Sequence, residues 1–330
     1  MKKFWILIAS VALVTSFAFA NGTEEVEGAD QVFELKLGHV ADPDNPYALG
    51  GQMFADLVAE RTDGNVTITI FPNSQLGNQQ QLIESLILGN LDFALTTTAV
   101  LGQFEPNLLV FGYPYMFEDR DHAYAALDTI GMEVAQALEP RGIKVLAFFE
   151  NGVRHMINNR RPIETPEDME GLKMRVMTTP VYVELMRSLG ADPTPMAFGE
   201  VYSAGSTGTI DGLEVPAVHI WQQRFFEVNQ YVSLTGHTYE SEPLTMSMRT
   251  WERLPAEYQE IMMEAVAEAL VYSRTLAREQ ESEFFQQIAD AGTEIIEVDR
   301  SLFAEATEPV WSALRTDTSD ELIARIQALR

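Results

Sequence analysis

The chain has 330 residues, with 49 acidic side chains against 22 basic ones, a formal charge of −27 and no cysteine. Such a charge disfavours nucleic acid and anionic lipid as partners. Without cysteine there is no disulfide and no thiol chemistry, so the fold must be held by its core, which a chain of this length can supply.

Residues 1–20, MKKFWILIASVALVTSFAFA, set two lysines before an apolar run that ends in Ala18-Phe19-Ala20. This is the pattern of a secretory signal peptide cut before Asn21. The run is shorter than the ~20 residues a bilayer span needs, which argues against an anchor. The expectation is an exported, periplasmic protein with no membrane insertion after cleavage. An acidic leader, residues 21–30, follows.

Residues 32–40 (VFELKLGHV) alternate apolar and polar and read as a strand. An amphipathic helix over 46–60 starts with Pro46, and VTITIF (66–71) is a second strand. A helix over 77–88 and a short buried strand over 91–95 complete a strand–helix alternation that argues a parallel α/β sheet. A helix over 119–138 leads to a strand over 144–149. From Arg154 the pattern restarts: strands at 154–157 and 173–176, helices at 181–189 and 198–204, then an extended segment at 208–215. This predicts a second α/β lobe, and 231–235 reads as a strand returning to the first. Pro255 opens a helical pattern to about residue 290. At 1.5 Å per residue that is ~50 Å, longer than one lobe of ~130 residues is wide, so the helix is expected to span both lobes. A strand over 294–298 and a helix over 301–328 close the chain. No linker or repeat is visible, so the lobes are expected to be joined by several crossings, with a hinge and a ligand cleft between them. The expected division is lobe I, 21–151 plus 240–279, and lobe II, 152–239 plus 280–330.

Arg154 and Arg175 lie in strand-like settings, Arg175 flanked by Met174, Val176 and Met177. A guanidinium among apolar neighbours needs an anionic partner. A small carboxylate from outside matches its planar fork with two parallel hydrogen bonds; an internal carboxylate would do the same. Glu214 fits a ligand hydroxyl or an arginine equally. His39 follows the first strand, where α/β folds place their crevice, but a packed histidine fits as well. Gln75 precedes a helix, Thr96, Thr97 and Thr98 follow a buried strand, and Trp221 either stacks on ligand or packs. Tyr239 lies near an expected crossing. Enzyme readings find little: Gly205-Ser206-Thr207-Gly208 is not a nucleophile elbow, there is no G-x-G-x-x-G or P-loop, and the five histidines have no metal spacing. No cofactor or metal is expected.

Seven stretches in order carry a resemblance: LKLGHVADPDNPY (35–47), FPNSQLGNQQQLIESLILGNLDFAL (71–95), YPYMFEDRDHAYAAL (113–127), FFENGVRH (148–155), TPEDMEGLKMRV (165–176), LGADPTPMAFGEVYSA (189–204) and FFEVNQYVSLTGH (225–237). The chain resembles the solute-binding proteins of tripartite ATP-independent periplasmic (TRAP) transporters, in the C4-dicarboxylate-type branch. The resemblance implies a type II-like periplasmic binding fold of two α/β lobes closing on ligand, and TRAP permease subunits as partners. It implies that Arg175 of GLKMRV forms a bidentate salt bridge with the ligand carboxylate, that Arg154 adds a second contact, and that Phe198 and Glu214 line the pocket. Where the family often has asparagine after the glutamate, this chain has Leu213-Glu214-Val215-Pro216, which removes an amide from the pocket. The expected ligand is a small carboxylate, with sugar acids (uronates, aldonates) preferred. A periplasmic enzyme on carbohydrate or organic acid, and a binding component of an ABC importer or chemoreceptor, are the alternatives.

Overall fold

Apolar residues at every second position make β1 (Phe33–Gly38), which buries Phe33, Leu35 and Leu37 and turns Glu34 and Lys36 outward. These features come from a computed structural model that describes residues 32–330; the expected signal peptide and leader lie outside the described residues. β1 pairs in parallel with β2 (Val66–Phe71) on one side and β3 (Phe93–Leu95) on the other. The intervening helix, Pro46–Arg61, is capped by Asn45, whose side chain accepts from the Tyr47 N–H. Helix Gln79–Leu88 starts with a reciprocal Asn78/Gln81 capping box and ends at Gly89 in the left-handed conformation.

The strands expected at 144–149 and 154–157 are one strand, β4 (Ile143–Asn158). The Asn151-Gly152 pair looks like a break in sequence, yet it forms a bulge rather than a turn. The strand expected at 231–235 likewise continues, as β8 (Tyr231–Ser247). Its second half, rich in Thr, Ser and Glu, has no apolar alternation but is buried throughout. β4 and β8 run antiparallel along most of their length. Near the Ser247 end of β8 lie β3 and, beyond it, β1 and β2. Near the Asn158 end of β4 lie β7 (Gly212–Pro216), β5 (Lys173–Val176) and β6 (Asp192–Pro195), while β9 (Glu294–Ile296) joins β8. The nine strands form one sheet that is parallel in its outer parts and antiparallel in the middle. β6, Asp-Pro-Thr-Pro, was not anticipated; its prolines are tolerated because it is an edge strand.

The long helix Ala256–Asp290 is present at its expected length. Met262, Ala265, Val266 and Ala269 pack it into the core that includes Phe54, Val58 and Phe93. Against the 120–128 segment it relies on charge: Arg274–Asp128 (2.7 Å), Arg278–Asp121 and Arg120–Glu281 (2.5 Å). The helix expected at 301–328 is two, Arg300–Ala313 and Ser319–Gln327. Between them Ser319 Oγ takes the Thr316 N–H at 2.8 Å, a local bond that competes with helix continuation. The helix expected at 119–138 is interrupted by a π-helical turn at Leu127–Gly131.

Candidate functional site

Strand ends converge on one cavity. Val40 follows β1, Thr97 follows β3, Met177 and Thr178 follow β5, and Val215 sits near the end of β7; all are on its wall. The carboxyl ends of parallel strands are where open α/β sheets bind ligands. The cavity has a volume of about 100 Å³ open to water, enough for a small organic molecule or several waters. Arg154, Arg175, Asn151, Phe198, Tyr47 and His219 contribute its other principal surfaces.

Arg175 is 2 % exposed. Its Nε and Nη2 both donate to the Met196 carbonyl, at 3.2 and 2.9 Å. Among the described residues no carboxylate lies within ion-pair distance of it. Burial pulls its pKa down to about 10, with Glu214 opposing and Arg154 assisting. It stays charged at neutral pH, and the Phe198 ring lies 5.9 Å from its guanidinium carbon.

Arg154 is buried to the same degree but paired with a carboxylate. Its Nε and Nη2 bond the Glu214 carboxylate, Nη2 at 3.0 Å, and Nη2 also reaches the Glu214 carbonyl at 2.7 Å. Burial opposes the charge, but Glu214, with Tyr182 and Glu240 adding, holds the guanidinium pKa above its ordinary value. Glu214 is held below the usual carboxylate range: burial pushes up, and Arg154 and His237 more than reverse it. Glu214 is wholly buried behind Arg154 and off the cavity wall. Of the two uses the sequence allowed it, the structure shows the arginine-orienting one.

The other anticipated residues divide. Phe198 and Thr97 are on the wall. Thr97 is fixed by Gln79, whose Oε1 accepts from Thr97 N at 3.0 Å and from its hydroxyl at 2.8 Å. Thr96 and Thr98 are buried off the wall, Thr98 on Ser241 at 2.6 Å. His39 is buried behind Tyr47 in an edge-on contact and does not reach the cavity; burial lowers its pKa to about 4. Gln75 is exposed; Gln79, one helical turn later, occupies the wall instead. Trp221 stacks on Phe226, with centroids 4.9 Å apart, on a separate surface groove. Tyr239 is buried and off this wall. Tyr47, Asn151 and His219 were not anticipated. His219 was legible as a histidine two positions before Trp221; burial, with Arg154 and Arg175 adding, lowers it to about 3, so its imidazole is neutral.

Among the described residues no cluster of three or more His, Asp or Glu side chains could hold a metal ion, and no helix is long and apolar enough to cross a membrane. The wall therefore presents one uncompensated cation, neutral hydrogen-bonding groups and an aromatic ring. That chemistry suits the binding of an anion.

Residues 37–317 match the family model described as bacterial extracellular solute-binding protein, family 7. The chain is 34 % identical over 274 residues to the 2,3-diketo-L-gulonate-binding periplasmic protein YiaO of Escherichia coli (strain K12), covering 82 % of this chain and 84 % of that one. Among solved structures, a TRAP periplasmic solute-binding protein from Polaromonas sp. JS666 bound to D-erythronate superposes with a TM-score of 0.87 at 34 % identity, over 90 % of this chain and 98 % of that one. Another, from Sulfitobacter sp. NAS-14.1 with bound β-D-galacturonate, has the same score and identity over 89 % and 99 %. The chain belongs to bacterial extracellular solute-binding protein family 7 and is a solute-binding protein of the TRAP kind.

Proposed function

We propose that this protein is exported to the periplasm with loss of residues 1–20, captures a small hydroxylated organic acid there, and hands it to a TRAP-type permease. Arg175 is the carboxylate clamp. One observation carries this: a buried, charged guanidinium has only a backbone carbonyl for a partner and stands beside a cavity. Burying a charge without a counter-ion is costly, and an incoming carboxylate removes the cost. Arg154 contributes shape and field from its bond to Glu214, and Phe198 and Thr97 complete the wall. Sugar acids are favoured because relatives are bound to D-erythronate and β-D-galacturonate in solved structures and another is named for binding 2,3-diketo-L-gulonate.

The anticipated lobes, 21–151 plus 240–279 and 152–239 plus 280–330, would close about β4 and β8, the two strands common to both. Closure excludes water and strengthens the ion pair. The protein is read as a carrier rather than an enzyme, so ligand recovered from it should be chemically unchanged by mass spectrometry.

Titration calorimetry with D-erythronate and β-D-galacturonate tests the clamp. Arg175→Ala is expected to weaken binding by about 2–5 kcal/mol, the usual loss when one side of a buried charge pair is removed, or roughly 30- to 4,000-fold. Wild-type affinity in the variant would refute the assignment.

A further inference from the structure

Asn151 is the extra residue of the β4 bulge. Glu150 pairs with Ser241 and Gly152 with Glu240, which leaves Asn151 without an opposite residue on β8. Gly152, at φ 130°, adopts a backbone conformation that L-side chains avoid. Bulges re-aim a side chain, and this one sets Asn151 on the cavity wall. The residue is nevertheless only 6 % exposed. Its Nδ2 donates to Glu242 Oε2 at 2.6 Å. Glu242 is wholly buried, and Asn151 Oδ1 and Glu242 Oε1 have no partner among the described residues. A pair serving only to tie two strands together would close its hydrogen bonds. Here two neighbouring acceptors stay open, an unfavourable arrangement until a donor arrives.

Position supplies the second argument. Arg175 is opposite Leu213, which is opposite Ile157 of β4. Asn151 is six positions farther along β4 (157 − 151), so the two side chains address different parts of an extended molecule. The neighbourhood is acidic. Glu240 and Glu242 stand two apart on β8 and so on one face, while Arg154 is committed to Glu214. Burial, partly offset by the Asn151 bond, raises Glu242 to about 8, so both of its protonation states occur near neutrality. A hydroxyl both donates and accepts, and it satisfies Asn151 whichever way the amide is turned. A carboxylate only accepts, so it brings no proton to the two open acceptors, and at pH 8.5, where Glu242 is mostly ionised, it would also face negative charge.

We propose that Asn151, anchored by Glu242, binds a hydroxyl of the ligand, and that this pair makes the site select hydroxylated monocarboxylates over dicarboxylates. The proposal rests on the assignment of Arg175 as the carboxylate clamp.

The test uses calorimetry at pH 8.5 with two four-carbon acids, D-erythronate (three hydroxyls, one carboxylate) and succinate (two carboxylates), and with β-D-galacturonate. The wild type should prefer D-erythronate to succinate at least tenfold. Asn151→Ala should weaken D-erythronate and galacturonate at least tenfold and change succinate less than twofold. Glu242→Gln, nearly isosteric and without the charge, should narrow the erythronate-to-succinate ratio at least threefold; it decides the matter alone if Asn151→Ala does not fold. A wild-type preference for succinate, or variants that shift all probes equally, would overturn the proposal and leave the Arg175 clamp standing. If no probe binds the wild type, the clamp falls and takes this proposal with it.

Discussion

Arg154 and Arg175 are both 2 % exposed and both reach the same cavity, on strands separated only by β7. Arg154 faces a carboxylate on the adjoining strand, and its charge is reinforced. Arg175 faces one carbonyl oxygen, and burial erodes its basicity. Equal burial thus has opposite consequences. A counter-ion in the protein supports a buried arginine's charge, and its lack leaves the charge costly, which is the ground for the anion site proposed at Arg175. Proximity to a cavity does not separate the two roles, but the inventory of partners does.

The largest effect that could break this contrast lies on the paired side. Glu214→Ala strands Arg154 as an unpaired buried charge and is expected to cost about 3–5 kcal/mol in urea unfolding. A loss below 1 kcal/mol would mean that the pair is not structural. On the unpaired side, Arg175→Met should lower D-erythronate affinity by about 2–5 kcal/mol while the ligand-free stability stays within about 1 kcal/mol of wild type. A stability drop as large as that of Glu214→Ala would make the two arginines alike. Next comes the bulge: Gly152→Ala forces φ 130° on a side chain whose Cβ would lie 3.1 Å from Pro216 Cβ. A destabilisation of about 1–3 kcal/mol should follow, and a neutral result would show that the bulge relaxes freely.

The smallest effect concerns two acids that mirror Arg175, Glu240 and Glu242, buried with only neutral hydrogen-bond partners. Burial raises them to about 7 and about 8. The unfolded chain is ionised where the folded one is not, so their contribution is full below their ordinary value near 4.5 and is lost as pH rises through 7 and 8. His39 and His219, lowered by burial to about 4 and 3, act in the opposite sense, but their influence ends by about pH 6.5. Between pH 6.5 and 8 the melting temperature of the ligand-free protein should therefore fall. The double variant Glu240→Gln, Glu242→Gln should flatten that slope; an unchanged slope would count against the two acids as its source.

Local periodicity was enough for β1, β2 and the long helix, because one face of each is apolar and the other is wetter. It failed for β4 and β8, whose buried stretches carry Glu150, Asn151, Glu240 and Glu242 where a core strand is expected to be apolar. Buried polar residues read as loop until their partners are known. Arg175, Arg154 and Thr97 were legible on the cavity wall because charge or position relative to a strand end marks them, and Phe198 only through the family resemblance. Asn151 was not, since its aim depends on the register of β4 against a strand about ninety residues later (151 against 242). Gln79 was missed by one helical turn: the residue chosen, Gln75, precedes the Asn78 cap and points to solvent.

The long helix is fastened differently on its two sides. Toward helix Pro46–Arg61 the contact is an apolar core with an exposed Arg61–Glu268 link (2.7 Å) at its margin. Toward residues 120–128 the fastening is three arginine–carboxylate links, all with partly or well exposed acids. In molar sodium sulfate the screening length shrinks to about 3 Å or less and exposed links fade, while excluded salts tighten apolar contact. Brine would then loosen one margin of this rod and grip the other harder, so the ionic composition of its surroundings reaches the molecule's spine.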